Sequence, residues 1–547
     1  MASPSPSKAA IASGLRNPRL MQAALALYDD RLAEAEPLLR AHLKDDPFDV
    51  AAIRMMGELA ARVGRFRDAE NLLRRALELA PEFGAARANL ATLLYRQNRP
   101  LEALAELDVL AAKNNGNGDP ENIGHDNLRA ATLGRIGEFD EALKLYEAVL
   151  AEAPQLPRVW MSYGHLLKTV GRVDDGITAY RRALDLAPHM GEVWWSLANL
   201  KTVRFTPDDM AAMQAALTAA DLRDEDRFHL DFALGKAFED TKAYEPAFRH
   251  YAAGNALRRR SLPYDAAETT SFVDKAIALF TPEVFAEREA FGCDARDPVF
   301  VLGMPRAGST LVEQILSSHS HIEGTSELAD IPLLTRRFGN DPVRLLELPP
   351  ERLKAMGEDY LNRTRVQRKT GRPLFIDKLP NNWAHVSFIH LILPNATIID
   401  ARRHPMSCCF SNFKQHFARG QAFGYALDDL GRYYSDYVRL MSHVDRVLPG
   451  RVHRVIYERM VDATEAEIRA LITACGLDFE DACLRFHETE RAVRTPSSEQ
   501  VRRPIFREGT EGWQGFAAWL GPLEQALGPV LDAYPDAPIH FQTEQTS

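Results

Sequence analysis

The residues with the clearest chemical potential lie in the segment PRAGST, residues 305–310. One guanidinium, one glycine and two hydroxyls stand there between a short apolar run, 299–302, and a helical pattern that begins at Thr310. A loop between a strand and a helix directs backbone N–H groups at an anion near the positive end of the helix dipole. We therefore predict a phosphate-binding loop made of Arg306, Ala307, Gly308, Ser309 and Thr310.

This loop differs from the phosphate loop of nucleotide triphosphatases. The pattern GxxxxGK[ST] is absent, and no lysine precedes the Ser309–Thr310 pair. A Mg²⁺-dependent phosphoryl transferase is therefore disfavoured. A turn with a purely structural role is the other alternative.

A second candidate phosphate site lies about one hundred residues later, where the strand-like run ATIIDARR leads into RHPMSCCFS. Arg403 ends the first run and Ser411 ends the second. A guanidinium gives a phosphate a bidentate grip, and a hydroxyl from the following helix closes the other side. Arg402 competes with Arg403 for this role, and a structural salt bridge is the plain alternative for the pair.

The two motifs together resemble the PAPS-dependent sulfotransferases, especially the tyrosylprotein sulfotransferases, which have a PRSGTT-type loop for the 5′-phosphosulfate and an Arg and a Ser for the 3′-phosphate. PAPS is 3′-phosphoadenosine 5′-phosphosulfate. The resemblance covers roughly residues 297 to 520 and joins four ordered motifs. It implies a sulfotransferase that moves the sulfuryl group of PAPS to a hydroxyl acceptor, leaves PAP as the product and needs no metal.

The resemblance also implies catalytic residues. Glu327 in GTSEL lies 21 residues after Arg306, where the tyrosylprotein enzymes place the base that deprotonates the acceptor. Lys378, at the end of LFIDK, matches their lysine, which would stabilise charge on the bridging oxygen as the S–O bond breaks. His319 and His321 are rival bases, because other sulfotransferases use histidine, but both follow the helix of the loop directly.

Two later segments complete the predicted site. RVHRVIYERM matches the family's nucleotide-contacting tyrosine segment, and TPSSEQVRRPIFREGTEGW matches a stretch that carries a transition-state-stabilising serine, here Ser497. The exact register of this second stretch stays open. The implied nucleotide contacts are Tyr457, Ser498, Gln500, Arg503 and Arg507.

The sequence departs from the tyrosylprotein enzymes at two positions. A family arginine that follows the 3′-phosphate arginine is Gln415 here, with Lys414 beside it, and the acceptor-positioning arginine is Ala329. Recognition of acidic peptides is therefore doubtful.

The N-terminal elements show a regular repeat. Prolines close successive helical units at spacings of 34, 39, 34 and 34 residues. Small residues lie twelve positions before four of these prolines and seventeen before Pro120, and turn residues lie five positions before the last four small residues. The prolines are Pro47, Pro81, Pro120, Pro154 and Pro188. The small residues are Ala35, Ala69, Ala103, Ala142 and Gly176, and the turn residues are Gly64, Asn98, Gly137 and Gly171.

The period and these positions resemble the tetratricopeptide repeat (TPR), a stacked helix pair whose arrays bind extended peptides on a concave face. We expect the array to bind a polypeptide acceptor or partner. A solenoid that only spaces or dimerises the protein is the alternative. Identity of the acceptor stays open among protein tyrosine, peptide, carbohydrate and small phenol.

Composition limits the remaining possibilities. The 547 residues carry a net charge of −10, which disfavours nucleic acid as a partner. Five cysteines without CxxC spacing indicate a reducing, cytoplasmic compartment. No run reaches the 18 or so apolar residues that a membrane span needs, so no membrane partner is expected.

We predict an all-α TPR solenoid followed by an α/β P-loop-like sulfotransferase domain with a central parallel sheet. The expected segments are a disordered leader at 1–17, the TPR array at 18–204, degenerate TPR, capping and linking helices at 205–292, and the sulfotransferase domain at 293–547. The competing function is a TPR scaffold whose sulfotransferase-like domain binds a nucleotide without catalysis.

Overall fold

The computed structural model describes residues 17–112, 120–417, 420–495, 497–505 and 510–543. The predicted leader therefore lies outside the described residues except for Asn17, which caps the first helix. The chain divides into two units, residues 1–166 and 167–547. The predicted domain limits stay predictions.

Consecutive antiparallel helix pairs form the first unit and continue into the second. Their bounds are α1 Pro18–Tyr28, α2 Leu32–Asp45, α3 Val50–Arg62, α4 Phe66–Leu79, α5 Gly84–Arg96, α6 Pro100–Ala111, α7 Pro120–Arg135, α8 Phe139–Glu152, α9 Pro157–Val170, α10 Val173–Leu186 and α11 Gly191–Leu200.

The repeat chemistry predicted from the sequence is confirmed. The four turn residues Gly64, Asn98, Gly137 and Gly171 all have positive φ and separate the two helices of their pairs. The small residues 35, 69, 103, 142 and 176 are buried where the paired helices approach each other. One expectation is wrong: Pro120 begins α7 instead of closing a unit, a position where the missing N–H of proline costs nothing.

Further helices precede the sheet in the second unit. They are α12 Pro207–Leu217, α13 Asp224–Asp240, α14 Tyr244–Ser261, α15 Ala266–Leu279 and α16 Pro282–Glu287. A Cβ at Gly235 of α13 would lie 2.7 Å from the ring of Tyr251 of α14, so these two helices pack as tightly as a repeat pair.

Five parallel strands form the sheet, in the order β2-β3-β1-β4-β5. They are β1 Pro298–Gly303, β2 Ile322–Ser326, β3 Leu374–Lys378, β4 Thr397–Arg402 and β5 Val452–Ile456. The central strand β1 is buried along its whole length, which explains its unbroken apolar sequence. The predicted parallel sheet is confirmed.

Helices cover the sheet and continue to the end of the described chain. They are α17 Ser309–Ser317, α18 Asp330–Thr335, α19 Pro342–Leu346, α20 Pro350–Thr364, α21 Val386–Ile392, α22 Pro405–Phe413, α23 Leu427–Val447, α24 Tyr457–Asp462, α25 Thr464–Ala474, α26 Gly521–Leu527, α27 Pro529–Ala533 and α28 Ile539–Thr543. One core cluster joins Val299 and Ile399 of the sheet to Ile315 of α17 and Leu471 of α25.

Two chemical features of the chain bear on its environment. All five cysteines are free thiols. Within the described ranges, every helix is too short or too polar to cross a membrane.

Candidate active site

The carboxyl ends of all five strands deliver residues to one edge of the sheet. Glu327 follows β2, Lys378 ends β3, the PRAGST loop follows β1, Arg403 follows β4 and Tyr457 follows β5. Ligands of open α/β sheets bind at this edge. The sheet order sets Glu327 and Lys378 on one side of the loop and Arg403 and Tyr457 on the other.

The PRAGST loop holds two residues in left-handed backbone conformations, Arg306 with φ 67° and Gly308 with φ 100°. A Cβ at Gly308 would lie 2.7 Å from Cδ2 of Tyr457, so only glycine lets the loop approach that ring. Asn412 Nδ2 donates to the carbonyl of Pro305 at 2.7 Å and fixes the start of the loop. The next helix, α17, begins at Ser309, so its free N–H groups lie at the site.

The Arg306 side chain connects the loop to two distant segments. Its Nε donates to Ser411 Oγ at 3.2 Å, its Nη1 to Ser497 Oγ at 2.7 Å and its Nη2 to Gln500 Oε1 at 3.5 Å. Burial, and then the charge of Arg403, lower the pKa of this guanidinium to about 10. Arg306 is therefore charged at neutral pH, and an anion beside it would relieve the repulsion from Arg403.

The two candidate arginines after β4 have different surroundings. Arg402 is buried and donates from Nη2 to Asp400 at 3.2 Å and from Nε to the Tyr437 hydroxyl at 3.3 Å. Arg403 reaches the cavity, donates from Nη1 to the Arg306 carbonyl at 3.2 Å, and lies 4.9 Å from the Tyr457 ring centroid. The geometry favours Arg403 as the anion ligand.

The predicted base and the predicted lysine are in direct contact. Lys378 Nζ lies 2.5 Å from Glu327 Oε1 and 4.0 Å from Oε2 of Glu313 on α17. Lys378 is only 1% exposed, whereas the Glu327 side chain is 43% exposed. Arg491 Nη1 contacts the other oxygen of Glu313 at 3.1 Å, so the buried carboxylate has a cation on each side. The exposed carboxylate of Glu327 can accept a proton from an incoming hydroxyl.

A cavity of about 410 Å³ connects these groups. The predicted residues that line it are Arg306, Gly308, Ser309, Thr310, Glu327, Lys378, Arg403, Ser411, Tyr457, Ser497, Gln500 and Arg503. Ala307 and Ser498 are buried beside it and do not line it. Arg507 lies outside the described residues.

The rival histidines do not line the cavity. His319 is buried, and its Nε2 lies 2.9 Å from the Asp478 carbonyl. With His321 and Glu480 it forms one of two His and carboxylate groups, among the described residues, whose spacing suits a metal ion. The other is His42, Asp46 and Asp49 in the first repeats. Neither group shares a residue with the cavity.

The helices before the sheet contribute to the cavity, which the sequence did not predict. Trp195, Asn199 and Lys201 from α11 and its end, and Lys236 from α13, line the cavity together with Lys414. Segment 205–292, which carries Lys236, was predicted only to cap and link, and Trp195, Asn199 and Lys201 lie in the segment predicted as the repeat array. In the sequence, these lysines cannot be distinguished from ordinary solvated lysines, because only the fold shows that they face the cavity.

Comparison with known proteins identifies both parts of the chain. Residues 298–481 match the family model described as Sulfotransferase family, and residues 60–121 and 128–190 match two models described as Tetratricopeptide repeat. The chain therefore contains a sulfotransferase-family domain that follows tetratricopeptide repeats, as the motifs predicted.

Two relatives and one solved structure illustrate the likeness. An uncharacterized protein of Aquifex aeolicus (strain VF5) is 31% identical over 362 residues, which cover 62% of this chain and 47% of that protein. A Caenorhabditis briggsae protein named "Putative protein-tyrosine sulfotransferase" is 23% identical over 229 residues, 39% of this chain and 80% of that protein. This chain thus spans about half the length of the Aquifex relative. A thermophilic TPR protein of Thermus thermophilus is 22% identical at a TM-score of 0.28, covering 31% of this chain and 90% of that one.

Proposed function

We propose that this protein transfers the sulfuryl group of PAPS to a hydroxyl acceptor. The observation that carries the proposal is the convergence of five strand ends, each with one predicted site residue, on a single cavity. Seven cationic side chains and two carboxylates line that cavity, although the chain as a whole carries a charge of −10. Such a cavity suits a donor that carries a phosphosulfate and a phosphomonoester.

The residues fit the two anionic ends of PAPS. The PRAGST loop and the start of α17 would hold the 5′-phosphosulfate, and Arg403 with Ser411 would hold the 3′-phosphate. Tyr457, Gln500 and Arg503 line the same cavity and would contact the nucleotide. No step requires a metal ion.

The chemistry follows from the placement of Glu327 and Lys378. Glu327 takes the proton of the acceptor hydroxyl while that oxygen forms a bond to sulfur, and the bond between sulfur and the bridging oxygen breaks. Lys378 and Ser497 stabilise the negative charge that grows on the departing PAP. The products are a sulfate ester, PAP and one proton held by Glu327.

The acceptor that we favour is a polypeptide, with tyrosine as the acceptor residue. The repeats support a polypeptide, because TPR arrays bind extended peptides. The name of the Caenorhabditis relative supports tyrosine. A cytoplasmic location stays a prediction that rests on the unpaired cysteines.

Isothermal titration with PAP tests the donor site. We expect wild type to bind PAP, Arg403→Ala to lose most of that affinity, and ADP, which lacks the 3′-phosphate, to bind weakly. Transfer of radiolabelled sulfate from PAPS to tyrosine-containing peptides then tests catalysis. Absence of PAP binding to folded wild type would remove the proposal. PAP binding without turnover across the peptide set would favour the scaffold alternative.

A further inference from the structure

Lysines that lie outside the strand-end motifs also face the cavity. Lys201 follows α11 and Lys236 lies on α13, both well before β1, and Lys414 follows α22. The family match begins only at residue 298, so Lys201 and Lys236 belong to the helices that precede it. These helices therefore form part of the cavity wall.

The backbone of Lys201 has an unusual conformation for lysine. Its φ of 63° is left-handed, a conformation that costs an L-residue energy and that usually selects glycine or asparagine at a helix end. The repeat turns of this chain use Gly64, Asn98, Gly137 and Gly171 for such positions. Lys242 has a similar left-handed φ of 60° at another helix end, but of these two lysines only Lys201 lines the cavity.

The surroundings of Lys201 are strongly cationic. Burial, and then the charge of Arg306, lower the pKa of Lys201 well below its ordinary value, and Lys168, Lys414 and Lys236 act in the same direction. Lys414 Nζ contacts Glu239 Oε1 at 2.6 Å, and Lys236 contacts Asp240. Those carboxylates offset part of the charge. The positive charge that remains around Lys201 and Arg306 favours the binding of an anion in the cavity.

We propose that Lys201 binds an anionic oxygen at the 5′ end of the donor, so that the helices before the sulfotransferase domain complete the donor site. This inference rests on the proposed use of PAPS. Arg306, the principal cation acting on Lys201, belongs to the loop assigned to the 5′-phosphosulfate. The 3′-phosphate ligand Arg403 follows β4 and packs on Tyr457, on the far side of that loop from Lys378. An acid group on the acceptor is the competing ligand for Lys201.

Two nucleotides separate these possibilities in the full-length protein. PAP carries both a 5′- and a 3′-phosphate, whereas adenosine 3′-monophosphate carries only the second. We expect Lys201→Met to weaken PAP binding about tenfold, as expected for loss of one charged hydrogen bond, and to leave binding of adenosine 3′-monophosphate unchanged. Lys242→Met is the matched control, because Lys242 is an exposed lysine with a similar left-handed φ of 60° that does not line the cavity.

A second substitution separates binding from folding. Lys201→Gly removes the side chain and relieves the left-handed strain, so its melting temperature should rise by roughly 2–4 °C while PAP affinity falls as in Lys201→Met. Lys242→Gly should raise the melting temperature without any change in PAP affinity.

Three results would overturn the inference. Wild-type affinity for PAP in both Lys201 variants would show that Lys201 does not contact the donor and would leave the acceptor as its ligand. Equal weakening of PAP and adenosine 3′-monophosphate would show a general disturbance of the site. Failure of wild type to bind PAP would remove the proposed function and this inference with it.

Discussion

At the scale of single residues, Arg306 joins segments that are far apart in the sequence. It bonds to Ser411 on α22 and to Ser497 in the last loop of the cavity, and Arg403 bonds to its carbonyl. The PRAGST loop, the proposed 3′-phosphate site and the loop that carries Ser497 therefore form one connected group. Displacement of any one of these segments should therefore disturb the charged hydrogen bonds that connect it to the other two.

The role of Glu327 can be separated from that of its partner Lys378. Glu327→Gln keeps the size of the side chain and removes the base, so turnover should fall by roughly 10²- to 10⁴-fold while PAP affinity is preserved. Glu347→Gln, at an exposed glutamate, is the control. If Glu327 only balances the charge of Lys378, Glu327→Gln should change PAP affinity together with turnover.

We expect Lys168, whose charge interacts with that of Arg306, to make the proposed anion site sensitive to pH. Burial, and then Arg306, lower its pKa to about 8, while Glu499 opposes the shift. A bound polyanion raises that pKa again, so PAP binding at pH 8 should take up roughly half a proton at this lysine. Titration in buffers of different ionisation enthalpy measures the uptake. Lys168→Met should reduce it, and Lys144→Met, at an exposed lysine, should not.

The lowered pKa of Lys168 also affects the stability of the ligand-free protein. The ordinary pKa of lysine is 10.5, so between pH 8 and that value the unfolded chain keeps a proton that folded Lys168 has lost. The contribution of Lys168 to the free energy of unfolding therefore rises with pH across this window. PAP affinity should fall over the same window, because neutral Lys168 no longer attracts the anion. Denaturation and PAP titration at pH 8 and pH 10 test whether the free energy of unfolding rises while PAP affinity falls.

At the scale of elements, the end of α9 supports the loop that carries Ser497. Val493 N donates to the Thr169 carbonyl at 3.0 Å, and Arg502 Nη2 donates to the same carbonyl at 3.4 Å. A repeat turn therefore anchors both ends of a loop that belongs to the cavity.

Gly171 gives a test of this anchor. Its φ is 92°, and a Cβ there would lie 3.1 Å from the Arg502 guanidinium, whereas a Cβ at Gly64, with φ 80°, would meet nothing within 4 Å. Alanine at either position should cost about 1 kcal/mol from the left-handed turn. Only Gly171→Ala should also lower turnover, by about tenfold, through displacement of the serine loop. Equal turnover in the two variants would show that the loop does not depend on the anchor.

The elements also show what the sequence could and could not predict. The strands β1, β3, β4 and β5 were recognisable from the sequence, as with LFIDK and Lys378, because parallel strands place their functional residues at one end. The strand β2, with the sequence IEGTS, was not recognised because it is not an apolar run. The turns of the repeats followed from Gly64 and its equivalents. Lys201 and Trp195 were not predictable as site residues, because their roles depend on tertiary contacts that no local pattern records.

At the scale of the whole molecule, the helices before β1 and the sulfotransferase domain share contacts throughout the second unit. Phe248 stacks on Phe413 and Trp519 with ring centroids 5.9 and 5.4 Å apart, and Asn255 Nδ2 donates to the Phe413 carbonyl at 2.8 Å. Tyr244 meets Phe516 edge-on at 5.0 Å. A cut at the predicted boundary, residue 293, would expose this aromatic surface.

Truncation tests that dependence. A fragment of residues 157–547 retains α9 and the later helices, so it should unfold cooperatively and bind PAP. A fragment of residues 293–547 lacks the aromatic packing, Lys168, Lys201 and Lys236, so it should aggregate or melt without a cooperative transition. Circular dichroism on heating, followed by titration with PAP, measures both. A cooperative transition and full PAP affinity in the shorter fragment would contradict the expectation.

The position of β2 at the edge of the sheet has a consequence for protein engineering. The segment that follows Glu327, including α18, leaves from this edge strand, whereas the proposed donor ligands Arg306 and Arg403 follow the central strand and its neighbour. Leu328, Ile331 and Leu334 of this segment are buried, so we expect only its exposed position, Ala329, to accept substitutions while nucleotide binding is kept. The fold would thus combine a fixed donor site with a variable position beside the proposed base, and we expect substitutions at Ala329 to alter the choice of acceptor.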